Sequence, residues 1–166
     1  MTSTQIQPVS FADFVCRRRR DLLRFAMVLV GDAQRAEDLV GDVLAKAYEV
    51  WERIGGLDHP YAYVRQMIVN EYLSWRKRLK RTTLHGDLEP YTAPVPDVAG
   101  VHAVRAELIS RLRSLPRRQR AAVTLRYFED LSHAEIADIL GCSLSTVRSH
   151  ISRALATLRV AMTEES

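Results

Sequence analysis

The sequence predicts an all-α protein made of two small helical domains joined by a flexible acidic linker, the second containing a helix-turn-helix. Apolar residues recur at three- and four-residue steps through most of the chain, and no strand-like alternation of any length interrupts them. Charge is unevenly spread: residues 1–81 carry 14 basic and 10 acidic side chains, 82–102 carry none and 3, and 103–166 carry 10 and 7. The middle segment also holds Gly86, Pro90, Pro94, Pro96 and Gly100 and lacks helical periodicity, so it reads as a tether. At 166 residues, 47% apolar and 27% charged, the chain is globular and long enough for two such domains.

Two cysteines, Cys16 and Cys142, cannot build a disulfide framework or a cysteine-rich zinc site, which suits a reduced, cytoplasmic chain. Arg17 to Arg20 followed by the apolar run Leu22–Val30 imitates a secretory signal. Asp21 and Arg24 interrupt it, no small-residue cleavage site follows, and the run is about half the length of a membrane span. It is read as a core helix, with no membrane partner. The net charge of +4 permits a nucleic-acid partner without requiring one.

In the first domain (1–81), Ser10 caps a helix whose apolar face runs through Phe14, Leu22, Phe25 and Leu29 to Gly31. After an Asp32 cap, Leu39, Val40, Val43, Leu44, Ala47, Tyr48 and Trp51 form the clearest amphipathic helix, ending before Gly55-Gly56. Asp58 and Pro60 open a third helix through Val64, Ile68, Tyr72, Trp75 and Leu79. It ends in Arg76-Lys77-Arg78-Leu79-Lys80-Arg81, five cations in six residues. Cations there suit the helix dipole. They also share the helix with Asn70 and Ser74, which can bond base edges, and with aromatics such as Tyr63 that can stack on unpaired bases.

After the linker (82–102), the second domain (103–166) starts with a helix through Val104, Leu108, Leu112 and Leu115, and Leu115-Pro116 begins another that runs to about Phe128. Ser132-His133-Ala134-Glu135 is a capping box, Gly141 stops that short helix, and Ser143 caps the last one. Ala137, Gly141 and Val147 stand at helix-turn-helix spacing: a small residue for close crossing, a positive φ in the turn, and a branched residue to pack the second helix on the first. The exposed side of that second helix offers Ser145, Thr146, Arg148, Ser149 and Arg153, chemistry that fits the major groove.

Together these stretches resemble the extracytoplasmic-function sigma factors of bacterial RNA polymerase, over roughly residues 11–160. Ala36 to Val43 is similar to region 2.2, Tyr61 to Arg81 to regions 2.3 and 2.4, and Leu115-Pro116 through Leu158 to region 4. The usage of 21 Arg against 3 Lys further resembles the short actinobacterial members. Gly41 departs from the family, which more often has Gln there. The resemblance implies a promoter-specificity subunit, not an enzyme, whose partners are core polymerase, through the β′ clamp helices and the β flap, and promoter DNA, and it leaves an anti-sigma factor open. It implies −10 contacts from Tyr63, Arg65, Asn70, Ser74, Arg76, Lys77 and Arg78. It implies −35 contacts from Arg117, Arg120, Ser143, Ser145, Thr146, Arg148, Ser149 and Arg153, and polymerase contacts from Glu37, Asp38, Leu39, Asp42, Val43 and Lys46.

Competing readings are weaker. Asp38 and Asp42, one turn apart, could hold magnesium, but the facing helices offer few further carboxylates: Glu71, Asp13 and Asp21. His133, Cys142 and His150 match no zinc spacing, so no metal or cofactor is expected. The alternative from another class is a helix-turn-helix regulator that is not a polymerase subunit. Its receiver would need strands and a phospho-acceptor aspartate, whereas residues 11–81 read as helical.

Overall fold

The structure, a computed structural model, describes residues 7–82 and 101–163; the side chains of 76–82, 101–102 and 161–162 fall outside that description. Helix α1 spans Phe11–Val30, α2 Ala33–Glu49, α3 Trp51–Ile54 and α4 Pro60–Thr82. Helix α5 spans Val101–Arg113, α6 Arg117–Val123, α7 His133–Leu140 and α8 Leu144–Thr163, and no strand occurs among the described residues.

The caps act as their chemistry dictates. Ser10 Oγ accepts from the Asp13 N–H at 3.2 Å, and Asp32 Oδ1 accepts from the Arg35 N–H at 2.8 Å, each satisfying a donor that the helix itself leaves unpaired. Gly31 ends α1 in the left-handed region at φ 70, its N–H donating to the Met27 carbonyl at 2.8 Å. The expected second helix divides at Val50. Trp51 there turns inward, its indole N–H donating to the Val9 carbonyl at 2.8 Å and its ring meeting Phe11 and Phe14 at 5.3 and 4.8 Å. A helix continuing unbroken could not deliver those contacts, so α3 restarts the chain in a new direction.

Helices α1, α2 and α4 bury Leu22, Phe25, Leu29, Leu39, Val40, Val43, Val64 and Ile68. Helices α6, α7 and α8 bury Ala121, Ile136, Val147 and Ile151, and these, with Leu125 just after α6, join the first set in one continuous core cluster. A smaller cluster of Leu112, Leu115, Val123 and Ala154 receives Val28 from α1. The two helical units are thus packed on each other, not merely tethered. The apolar stripe expected on α5 is used only at its C-terminal end: Leu112 is buried, whereas Val104 and Leu108 are 70% and 52% exposed. Its N-terminal turns extend past the elements that cover the rest.

Helix α6 continues into a wider turn over Thr124–Phe128, where the Glu129 N–H reaches back five residues to the Thr124 carbonyl at 3.2 Å. This wide turn projects Phe128 and Glu129 toward the first domain. Phe128 stacks on Phe25 with centroids 6.5 Å apart.

Candidate nucleic-acid and polymerase interfaces

The helix-turn-helix forms as its spacing requires. Ser132 and Glu135 make a reciprocal box, Ser132 Oγ accepting from the Glu135 N–H at 3.2 Å and the Glu135 carboxylate accepting from the Ser132 N–H at 2.8 Å. These hydrogen bonds to the charged form hold the Glu135 carboxyl below its usual range. Gly141 turns the chain at φ 62, and Val147, in the first turn of α8, is fully buried. Ser143 Oγ accepts from the Thr146 N–H at 3.2 Å and lies 3.0 and 2.8 Å from the hydroxyls of Ser145 and Thr146. Ser145, Arg148 and Arg153 are exposed, Thr146 and Ser149 half-buried. The first turns of α8 therefore present hydroxyls and a guanidinium to solvent, held on a packed base.

Arg117 and Arg120, expected beside them, turn inward. Arg117 donates to the Tyr72 carbonyl at 2.6 Å and lies over the Tyr72 ring. Arg120 donates to the carbonyls of Leu29, Arg113 and Leu115 at 2.9, 2.6 and 3.1 Å. Helix ends leave carbonyls unpaired, and a guanidinium with five donors satisfies several at once. Burial lowers the Arg120 pKa, and burial likewise raises that of Tyr72, against the opposing pull of Arg120 and Arg117. In this structure both arginines join the domains.

On α4, the Arg65 guanidinium pairs with Glu129 at 3.1 Å, the two side chains 12% and 11% exposed, and the Tyr61 hydroxyl donates to the other Glu129 oxygen at 3.1 Å. Burial first, then the Glu129 carboxylate, pushes the Tyr61 phenol well above its ordinary pKa. Tyr63 is half-buried, its hydroxyl accepting from Arg53 at 3.1 Å. Asn70 is exposed and accepts from Gln66 at 3.1 Å, while Ser74 donates to the Glu71 carbonyl at 3.0 Å. Arg76, Lys77 and Arg78 continue the helix, with side chains outside the described residues. Gln66 also donates to the Ile139 carbonyl at 2.9 Å. Sequence reasoning missed Gln66 and Glu129, because neither belongs to a motif and their partners lie more than sixty residues away.

On α2, Glu37, Asp38, Asp42 and Lys46 are exposed along one side. Glu37 pairs with Arg19 at 2.7 Å, Asp38 accepts from Gln34 at 3.0 Å, and Lys46 pairs with Glu71 at 2.6 Å. Leu39 and Val43 are 0% and 1% exposed, since they lie on the apolar stripe that packs against α1 and α4. They support that polar face from beneath and offer no surface of their own. Among the described residues no group of three or more His, Cys, Asp or Glu could hold a metal ion, and no helix is long and apolar enough to cross a membrane.

Residues 14–82 match sigma-70 region 2 and residues 105–158 match sigma-70, region 4. The chain is 37% identical over 151 residues to the RNA polymerase sigma-E factor of Streptomyces coelicolor, an alignment spanning 91% of this chain and 85% of that one. The chain belongs to the extracytoplasmic-function sigma factors of RNA polymerase. This sigma factor is also 33% identical to the ECF RNA polymerase sigma factor SigL of Mycobacterium tuberculosis, over 86% of this chain and 83% of the other. Its fold matches the sigma factor RpoE solved in complex with the anti-sigma factor NepR from Bartonella quintana. The TM-score is 0.68 at 25% identity, covering 92% of this sigma factor and 96% of RpoE. CnrH, solved in complex with the cytosolic domain of CnrY, shares the fold at a TM-score of 0.63 and 20% identity, covering 94% and 89%.

Proposed function

We propose that this sigma factor engages the −35 duplex through α8 and the −10 element through α4, and docks on core polymerase through the acidic side of α2 and, in its second domain, on the β flap. The observation that carries the reading is the recognition helix: a capped, buried-base α8 exposes Ser145 and Arg148 in its first turns, where a helix-turn-helix reaches base edges. The fold match to a sigma factor held by an anti-sigma factor supports a partner of that kind for this chain too. It acts in the cytoplasm as a specificity subunit and contributes no catalytic centre of its own.

Core polymerase tests the reading directly. The full chain should co-elute with core enzyme and redirect initiation to a new set of start sites with aligned upstream elements. Unchanged start sites, or specific promoter binding that ignores polymerase, would return the chain to an autonomous helix-turn-helix regulator.

A further inference from the structure

The contact between Glu129 and α4 falls on a cleft. Val9, Phe14, Arg17 and Arg18 on one side and Asp58 through Ala62 with Arg65 on the other line an open cleft of about 640 Å³. Its cations outnumber its carboxylates, for Arg17, Arg18 and Arg65 face Asp58 alone. Arg17 has no partner among the described residues, and Arg18 lies 5.1 Å from the Tyr61 ring centroid while pairing with Asp21 at 3.3 Å. Such a basic, aromatic-edged cleft suits a phosphate chain. At its edge the anion present is a protein carboxylate, Glu129, taking one oxygen to the Arg65 guanidinium and one to the Tyr61 hydroxyl. A carboxylate bonded to a guanidinium and a phenol uses the donors that a phosphodiester would use.

We propose that Glu129 is an intramolecular plug on a phosphate-binding cleft of the first domain, displaced when the phosphate chain of single-stranded promoter DNA enters. This rests on the assignment of α4 to the −10 element. The second domain thereby covers the strand-binding face of the first, and Glu129 supplies the competing charge. Phe128 on Phe25, Gln66 on Ile139 and Arg117 on Tyr72 hold the wide turn in register for it.

The test uses the full chain without polymerase and a fluorescently labelled twenty-nucleotide oligo-dT as probe, read by anisotropy. Glu129→Gln keeps the side chain's shape and removes its charge. It should tighten oligo-dT binding about tenfold, less than full truncation of a desolvated charge partner because Gln keeps the shape and one acceptor. Asp130→Asn makes the same change of net charge at the exposed neighbour and should move affinity less than about twofold, as screened surface charges do. In an Arg65→Ala background the gain from Glu129→Gln should vanish, because contacting residues are not additive. Equal gains from Glu129→Gln and Asp130→Asn would reduce the effect to net charge and overturn the plug, as would a gain that survives Arg65→Ala. Thermal melts confirm that each variant is folded. Co-elution with core polymerase is scored separately, so a chain that co-elutes but shows no Glu129 effect loses the plug and keeps its sigma function.

Discussion

The guanidinium of Arg120 in the second domain donates to the carbonyl oxygen of Leu29, near the C-terminal end of α1 in the first, at 2.9 Å. One side chain thus closes carbonyls of α1, of α5 and of the turn before α6. Arg120→Ala removes the donors from all three, two of which, the Leu29 and Leu115 carbonyls, are part-buried. The expected loss is about 2 kcal/mol, in the range for hydrogen bonds to a charged group, seen as a lower denaturation midpoint. Discrimination at the −35 element by the holoenzyme should be unchanged. A variant of undiminished stability that misreads the −35 element would move Arg120 back to the DNA.

The two ends of α7, capped by Ser132 and Gly141, separate two local effects. Ser132→Ala removes a cap acceptor and should cost about 1 kcal/mol. Gly141→Ala meets no atom within 4 Å but forces a side chain into φ 62, and should also cost about 1 kcal/mol through backbone strain alone. Because the folded Glu135 pKa is depressed below 4.5, the contribution of its hydrogen bond is present above that value and fades as pH falls through the folded pKa. Chemical denaturation of the wild type and Glu135→Gln between pH 3 and 7 checks this: the two should converge in acid and separate toward neutrality. Parallel curves would mean that Glu135 titrates alike in both states.

Much of this fold was legible because its signals are local. Ser10, Asp32, Gly31, Ser132, Gly141 and Ser143 all sit where capping chemistry places them, and the apolar stripe of α2 identifies the core directly. The candidate site was less legible for a physical reason. An amphipathic pattern shows which side of a helix is apolar but not what a cation beside that side will meet. Arg117 and Arg120 look from sequence like DNA contacts; only the approach of α1 and α4 reveals carbonyls within their reach. Leu39 and Val43 directly follow Asp38 and Asp42 in sequence and share their expected polymerase contact, although their period assigns them to the interior. Glu129 could not be found at all without the register of the wide turn.

His150 gives the second pH effect. Its Nδ1 is buried without a hydrogen-bond partner among the described residues, and burial, then Arg118 and Arg153, lowers its pKa below 6.5. The unfolded chain therefore takes up this proton at higher pH than the folded chain. Stability is complete above about pH 6.5 and declines as pH falls from there toward the folded pKa. Replacing His150 by Gln should flatten the denaturation midpoint between pH 5 and 7; an unaltered slope would assign the decline to other groups.

Helix α2 offers a test of the polymerase surface that leaves the core untouched. Asp38 and Asp42 are exposed one turn apart, above the buried Leu39 and Val43. The double change Asp38→Arg and Asp42→Arg should keep the thermal midpoint within about 0.5 kcal/mol of wild-type stability, as surface substitutions do. Affinity for core polymerase should fall by an order of magnitude or so, since a charge contact reverses sign. Full affinity in the folded variant would make this side of α2 a solvated face.

The two DNA elements should fail by different chemistry. Arg148 is exposed one residue after the buried Val147, near the start of α8, where a guanidinium can reach base edges; Arg76 and Lys77 lie on the basic end of α4 and suit phosphates. Arg148→Ala should cost about 1–3 kcal/mol at its preferred −35 base pair and little where that pair is already wrong. Replacing Arg76 and Lys77 by Ala should weaken holoenzyme binding alike across −35 variants, lower the salt slope by roughly one unit per lost phosphate contact, and reduce strand opening. A −35 substitution series reads the first effect, and permanganate footprints of the opened strand read the second. If Arg148→Ala leaves the −35 profile intact while Arg76→Ala reshapes it, the assignment of α8 and α4 to the two promoter elements is reversed.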